Sequence, residues 1–104
     1  MKTSTLSLIA LASAMAFSPN TFANADGAEL AWKYHCVTCH GMQGRANSDR
    51  YPNINGQNVA YLVSRLRYFR DGIEPGNQMN AQAAPLTDEE ITALAKYFNR
   101  PSGS

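Results

Sequence analysis

Residues 36–40 read Cys36-Val37-Thr38-Cys39-His40, and the rest of the chain is best interpreted from this stretch. These are the only two cysteines among the 104 residues, and a histidine directly follows the second. A Cys-x-x-Cys-His run is typical of c-type haem attachment, in which both thiols form thioethers with the porphyrin and the imidazole ligates the iron. On a helix, positions three and four apart share one face, so Cys36, Cys39 and His40 would point the same way. The motif therefore predicts one covalently bound haem c.

Other uses of the two cysteines fit the sequence less well. A Cys-x-x-Cys redox pair is expected in a strand-helix-strand context, which the surrounding pattern does not indicate. A structural zinc site needs four ligands, and the sequence offers no fourth after His40 and even His35 are counted. A disulfide across two intervening residues closes too small a loop to stabilise the fold much. Haem attachment is therefore the favoured interpretation.

The N-terminus has the pattern of a secretory signal peptide. Lys2 supplies a short positive region, residues 6–17 are apolar or small, and an Ala-x-Ala site ends at Ala25. The apolar run falls short of the roughly 20 residues needed to cross a bilayer, and no later stretch qualifies. We therefore expect residues 1–25 to be cleaved and the remainder to be a soluble periplasmic protein without a membrane segment.

Length and charge restrict the remaining chain further. We expect residues 26–101 to form one small domain, followed by a flexible tail at 102–104. A domain of this size buries little apolar surface and commonly needs a prosthetic group, which a covalent haem would supply. The formal charge is +1 and falls to zero once Lys2 is removed, so neither nucleic acid nor an anionic membrane is an implied partner.

The segment before the cysteines is predicted to be helical. Asp26 is suited to cap a helix that runs from about Ala28 into the cysteine motif. Apolar residues recur along it at helical spacing, and Trp32 and Tyr34 are the expected core contributors. His35 lies on a different face from the motif histidine, so it is expected at the surface or in packing rather than at iron.

Residues 41–56 are rich in Gly, Asn and Pro and are predicted to form an irregular loop along one edge of the haem. Pro52 has two interpretations within this loop. Its carbonyl could accept a hydrogen bond from the second ring nitrogen of His40, which would set the tautomer and raise the basicity of the ligand. Alternatively, Pro52 only shapes a turn, and the sequence leaves both possibilities open.

A middle helix is predicted over residues 58–70, with Gly72 in the left-handed conformation past its end. Arg65, Arg67 and Arg70 cluster toward its C-terminus. Favourable interaction with the helix dipole, together with solvation, is the favoured interpretation of this cluster. A pairing with a haem propionate or with an acidic partner is the alternative.

Residues 73–85 are predicted to be a second loop, and Met79 is its most informative residue. Its immediate neighbours are amides, which is unusual for a core methionine but suits an axial thioether ligand. Met42 lies only two residues after His40, too close to reach the opposite haem face. Met79 is therefore the candidate second ligand. A His/Met pair fills both axial positions and favours electron transfer over oxygen or peroxide chemistry.

The last helix has the clearest pattern in the chain. Thr87 and Glu90 form a capping box at its start. An apolar stripe follows at i, i+3, i+4 and i+7, comprising Ile91, Leu94, Ala95 and Phe98.

These stretches together resemble the class I cytochromes c, specifically the small bacterial c4 and c553 or c5-like group. Beyond the cysteine motif, the matching pieces are Tyr51-Pro52-Asn53-Ile54-Asn55-Gly56-Gln57, Tyr61-Leu62, Phe69-Arg70-Asp71-Gly72, Met79, Ala83-Ala84-Pro85-Leu86-Thr87-Asp88 and Leu94-Ala95-Lys96-Tyr97-Phe98. They follow the family's order and span nearly all of residues 26–101.

The resemblance implies an all-α fold, with three main helices and two loops wrapped around one covalently attached haem. The first and last helices would cross, with Ala28 and Trp32 meeting the last helix near Tyr97. Ala28 stands where the family often has glycine, so a slightly wider crossing is expected. Relatives in the c4 group carry two such domains, whereas this chain has one cysteine motif.

The resemblance also implies His40 and Met79 as axial ligands, Pro52 as the acceptor for the His40 ring, and one exposed haem edge. The expected function is a periplasmic one-electron carrier between larger redox proteins that is not itself an enzyme. An alternative is the haem c subunit of a multi-subunit dehydrogenase, such as a sulfide flavocytochrome. A gas or peroxide sensor would require that Met79 not be bound.

Overall fold

The computed structural model describes residues 26–100, which form five α-helices joined by loops. The helices are α1 (Gly27–Lys33), α2 (Cys36–His40), α3 (Val59–Arg70), α4 (Gln78–Ala83) and α5 (Asp88–Phe98). This part of the chain contains no strand, so the all-α prediction is confirmed there. None of its helices has the length and apolar character to cross a membrane. The predicted leader and the tail at 102–104 lie outside the described residues.

Helix α5 is the element against which the other long helices pack. Both parts of its predicted capping box are present: the Glu90 backbone N–H donates to Thr87 Oγ1 at 3.1 Å, and the Thr87 N–H donates to Glu90 Oε1 at 3.0 Å. The predicted stripe of Ile91, Leu94, Ala95 and Phe98 is buried. Since α1 and α3 both contact α5, this stripe forms the centre of the core.

Gly27 occupies the closest point of the α1–α5 crossing. A Cβ added there would lie 2.5 Å from Tyr97 Cβ and 2.6 Å from the Ala93 carbonyl oxygen. Real side chains do not approach so closely, because interiors are already packed near the limit. The prediction that Ala28 replaces the family's crossing glycine is therefore wrong. The glycine is present one residue earlier, at Gly27, and the distance between α1 and α5 need not be larger.

Trp32 was expected in the core, but its side chain is 58% exposed. Leu30 and Ala31 take the buried positions of α1 instead. Tyr34 is partly buried against the core, as predicted, and its hydroxyl donates to Glu90 Oε2 at 2.8 Å. The difference follows from the helix register, since the face of α1 that meets α5 is set by Gly27 and not by the largest side chain.

The predicted first helix is interrupted before the cysteines. His35 adopts a left-handed backbone conformation with φ of 62°, which separates α1 from α2. Non-glycine residues adopt such a φ infrequently. The side chain of His35 is exposed, consistent with the expected surface position. The cysteine motif therefore forms a separate short helix, α2, and not the end of α1.

The loop predicted over residues 73–85 contains a helix, α4, so that prediction is wrong in part. Asn77 caps this helix by accepting a hydrogen bond from the Met79 backbone N–H at 2.8 Å. The following residues include Ala, Gln and Met, which are good helix formers. Six residues are too few to show a periodic stripe, and this is why the pattern was missed. Helix α4 packs on α3.

The three arginines of α3 are paired with acidic residues of the chain itself. Arg65 lies 3.5 Å from Glu74, Arg67 lies 3.6 Å from Asp88, and Arg70 lies 2.7 Å from Asp88. The Arg70 pair joins the C-terminal end of α3 to the first residue of α5. These contacts add ion pairing to the predicted roles in solvation and helix-dipole interaction.

Candidate haem site

Helix α2 carries both cysteines and His40 within five residues. Cys36 and Cys39 are partly buried and are not joined to each other. Burial raises the pKa of the Cys36 thiol to about 11. A thiol of this kind is protonated at neutral pH, whereas a redox-active Cys-x-x-Cys pair works through a thiolate of lowered pKa. The environment of Cys36 is thus not that of a cysteine used for thiol exchange.

His40 is the one buried polar residue of the described core, with 7% of its surface exposed. Its Nδ1 lies 2.9 Å from the carbonyl oxygen of Pro52, and its ring meets that of Tyr51 edge-on at 6.4 Å between centroids. A carbonyl only accepts hydrogen bonds, so the Nδ1 proton is assigned to this contact and Nε2 is left with a free lone pair. A metal-ligating histidine commonly has this arrangement.

The loop after α2 is held by backbone contacts that bring Pro52 to His40. The Gly44 carbonyl accepts from the backbone N–H groups of Ile54 and Asn55, at 2.7 and 3.1 Å. A Cβ at Gly44 would lie 2.8 Å from the Asn55 nitrogen, so glycine is needed where these two segments of the loop meet. The Tyr97 hydroxyl also donates to the Met42 carbonyl, which ties the start of the loop to α5.

Met79 is partly buried and is the second residue of α4. The two candidate ligands are thus carried by different parts of the helix framework. Helix α2 with His40 packs on α1, and α4 with Met79 packs on α3. The contact between His40 and Pro52 is one of the two interpretations that the sequence left open and the one that the family resemblance implies. The helical setting of Met79 was not anticipated. An Asn immediately before two helix-forming residues was the available signal for α4.

The residues present fit a covalently bound haem. The donor set comprises two thiols on one helix, an imidazole whose second nitrogen is already engaged, and a thioether on a separate helix, which is the chemistry of class I ligation. Beside Met79, the Asn80 Oδ1 atom is buried and has no hydrogen-bond partner among the described residues. Buried polar atoms are rarely left so. A metalloporphyrin with ionised propionates offers this oxygen no hydrogen-bond donor, so the fit to haem rests on the donor set alone.

Comparisons with known proteins place these features in a family. A family model described as cytochrome c oxidase, cbb3-type, subunit III, matches residues 23–98. A thiosulfate dehydrogenase electron acceptor from Thiomonas intermedia is 41% identical over 71 residues, covering 65% of this chain and 33% of that protein. Cytochrome c-554(548) from Halomonas halodenitrificans is 39% identical over 67 residues, covering 62% of this chain and 81% of that protein.

The solved structures that match include cytochrome c4 from Acidithiobacillus ferrooxidans. It is 25% identical with a TM-score of 0.63, over 70% of this chain and 46% of that one. The fold expected from the sequence resemblance is thereby confirmed. The chain spans one third of the thiosulfate dehydrogenase acceptor and less than half of the cytochrome c4, but most of cytochrome c-554(548).

Proposed function

Because the chain belongs to the cytochrome c family, whose cofactor is a covalently bound haem c, we propose that it is a one-electron carrier between larger redox proteins. The relatives it resembles are named as cytochromes or as an electron acceptor, which supports a carrier that makes and breaks no bonds of a substrate. The predicted leader at residues 1–25 supports a location in the periplasm.

Each site residue has a separate part in this proposal. Cys36 and Cys39 would hold the cofactor through two thioethers, and His40 Nε2 and the Met79 sulfur would be the axial ligands. When bound, haem c supplies an iron that takes up and releases one electron. The Pro52 carbonyl keeps the proton on His40 Nδ1, so the imidazole stays oriented through both oxidation states.

The observation that carries the proposal is the buried imidazole of His40, which lies on the same helix as both thiols. Its Nδ1 lies 2.9 Å from the carbonyl oxygen of Pro52, which holds the ring in place. A surface histidine has no need of such an acceptor. Since this contact leaves the lone pair on Nε2 free, a metal partner for that nitrogen is the expected complement.

Replacement of Met79 tests the second ligand. In Met79→Ala, loss of the sulfur ligand should abolish the weak sulfur-to-iron absorption at the red end of the ferric spectrum and lower the reduction potential, because a thioether raises the potential. Absorption spectroscopy with a redox titration measures both effects. Met42→Ala is the matched control, since Met42 is 61% exposed. A Met79→Ala spectrum identical to that of the parent protein would refute the ligation.

A second candidate function is supported by two relatives that carry the same name. Because a similar protein is named as the electron acceptor of thiosulfate dehydrogenase, this chain is also a candidate haem c subunit that accepts electrons within a dehydrogenase of sulfur compounds. Purification from the native source distinguishes the two: a stoichiometric flavin or molybdenum partner indicates a subunit, and an isolated haem protein indicates a carrier.

The sequence predicts a polar and mostly uncharged docking face around Gln43, Asn77, Gln78 and Asn80. Gln43 and Gln78 are exposed, whereas Asn77 and Asn80 are partly buried and hydrogen-bonded inside the fold. Met42 adds an exposed apolar side chain near His40. A small contact of this composition suits the weak, transient complexes of electron carriers.

A further inference from the structure

The segment that carries Met79 is closed by a hydrogen bond from the residue next to it. Asn80 Nδ2 donates to the backbone carbonyl oxygen of Glu74 at 2.6 Å in a partly buried setting. The bond joins the start of the loop after α3 to the third residue of α4. Met79 lies within the ring of residues closed in this way, so the position of its backbone depends on the Asn80 side chain.

Glu74 is connected in turn to α3, but only weakly. Arg65 NH2 lies 3.5 Å from Glu74 Oε2, and the Arg65 guanidinium lies over the Phe69 ring at 4.7 Å. The side chains of Arg65 and Glu74 are 38% and 44% exposed, so their ion pair contributes little. Of these two polar contacts of Glu74, the bond from Asn80 to its backbone carbonyl is therefore the stronger.

The oxygen of the Asn80 amide carries an energetic penalty, and a role in stability alone does not explain why the residue is present. Its Oδ1 is buried and has no partner among the described residues. A buried acceptor without a partner is unfavourable, and an apolar side chain of similar size would avoid the penalty. A residue that retains this penalty while making one short bond beside a candidate ligand is better explained by a requirement of the site.

Building on the proposed His40/Met79 ligation, we infer that Asn80 is a positioning residue that holds Met79 against the iron through its bond to the Glu74 carbonyl. Asn80 does not itself ligate the metal. Without the bond, residues 74–80 open more often and the sulfur leaves the iron for a larger fraction of the time. The axial position of Met79 would then be vacant more often, and small external ligands would bind to the iron more readily.

The test compares Asn80→Leu with the parent holoprotein. Leucine is close in size to asparagine but has no donor and no buried acceptor to satisfy. Loss of one hydrogen bond should raise the affinity of the ferrous protein for carbon monoxide roughly threefold to tenfold. The sulfur-to-iron absorption of the ferric protein should weaken in parallel. Asn80→Ser, which shortens the side chain, provides a second variant should the leucine not be accommodated.

Two control variants separate positioning from general stability. Asn99 Nδ2 donates to the Gln57 carbonyl at the same 2.6 Å in an exposed setting at the C-terminal end of α5, so Asn99→Leu removes a bond of the same type and length elsewhere. Glu74→Gln removes the ion pair with Arg65 but keeps the carbonyl that Asn80 needs. Both controls should bind carbon monoxide as the parent does.

The outcomes also separate this inference from the proposed ligation. If Met79→Ala loses the sulfur absorption while Asn80→Leu keeps both the absorption and the parent affinity for carbon monoxide, the ligation stands and the role of Asn80 is refuted. An equal rise in carbon monoxide affinity in Asn99→Leu would reduce Asn80 to a general stabiliser and refute it as well. An unchanged Met79→Ala spectrum overturns the ligation and the inference together.

Discussion

Tyr34 and Glu90 form a contact between α1 and α5 that depends on the protonation of both groups. The Tyr34 hydroxyl donates to Glu90 Oε2 at 2.8 Å. The hydrogen bond to Glu90, together with burial, raises the pKa of Tyr34. Burial alone would raise the pKa of Glu90, but hydrogen bonds from the Thr87 backbone and the Tyr34 hydroxyl outweigh it and hold that pKa below its ordinary value. The fold therefore favours neutral Tyr34 with charged Glu90.

Tyr34→Phe should lower the free energy of unfolding at neutral pH by about 1–2 kcal/mol, because a hydrogen bond to a charged group is lost. A depressed Glu90 pKa contributes stability above its unfolded value near 4.3, which is lost as pH falls through the folded pKa. A raised Tyr34 pKa contributes stability below about 10, which is lost as pH rises through the folded pKa. The difference between parent and variant should therefore shrink in both acid and alkali.

Chemical denaturation across the pH range checks this prediction. Tyr61→Phe is the matched control, since Tyr61 is 52% exposed on α3. A difference between parent and Tyr34→Phe that stays constant from acid to alkali would show that the contact is packing alone and contradict the electrostatic account.

The cap of α5 matters for the stability of the whole fold, because two other helices pack on α5. Thr87→Ala removes the side chain that accepts from the Glu90 N–H, and with it one half of the capping box. We expect the free energy of unfolding to fall by about 1 kcal/mol. Thermal unfolding followed by circular dichroism measures the change.

The control for this prediction is the same substitution further along the helix. Thr92 Oγ1 donates to the Asp88 carbonyl within α5, a contact that does not favour helices over other conformations. Thr92→Ala should change stability by no more than about 0.5 kcal/mol, because alanine has the higher helix propensity. Equal losses in the two variants would mean that the threonines act through packing and not through the cap.

The elements could be predicted where the signal is local and repeated. Thr87, Glu90 and the apolar stripe define α5 within one stretch of sequence, so its start and its buried face were both correct. Helix α4 is shorter than two turns and offers only its cap. The break at His35 could not be predicted, since a left-handed conformation at a non-glycine residue has no sequence signature here.

The candidate site was predictable for a related reason. The cysteine motif places three functional groups in five residues, and chemistry dictates that spacing. Pro52 lies twelve residues from His40, and only the contacts of the intervening loop bring them together. The Gly27 crossing was misplaced by one residue because a glycine signals a close approach only when its partner is known. Trp32 was misassigned because size and hydrophobicity do not decide the register.

The hydrophobic core of the described residues is small for a stable fold. Its largest fully buried side chains are Ile91 and Leu94. Below about 70–80 residues, a hydrophobic core rarely provides more than about 3–5 kcal/mol, and a prosthetic group is a common supplement. The cofactor is therefore expected to contribute to folding as well as to function.

A double variant, Cys36→Ala with Cys39→Ala, should leave the chain without covalent haem and with most of its helical circular dichroism lost, because the remaining core cannot offset the entropy of ordering the chain. Met79→Ala, which keeps both thioethers, should retain its helical signal. A double variant with the helicity and cooperative thermal transition of the parent would contradict this dependence.

The packing of α1 and α3 on α5 has a consequence for how the redox properties of such a protein can change. Helix α2 is supported by α1 and α4 by α3, so α5 is the common support of the two candidate ligands. The two candidate ligands are thus carried by two helix pairs that share one support. We expect a change of one methyl group at Gly27, where α1 meets α5, or at Leu94 of α5 to alter the separation of these pairs. Substitutions on α1 or α5, which carry neither ligand, are then expected to change the reduction potential while the ligands themselves stay the same.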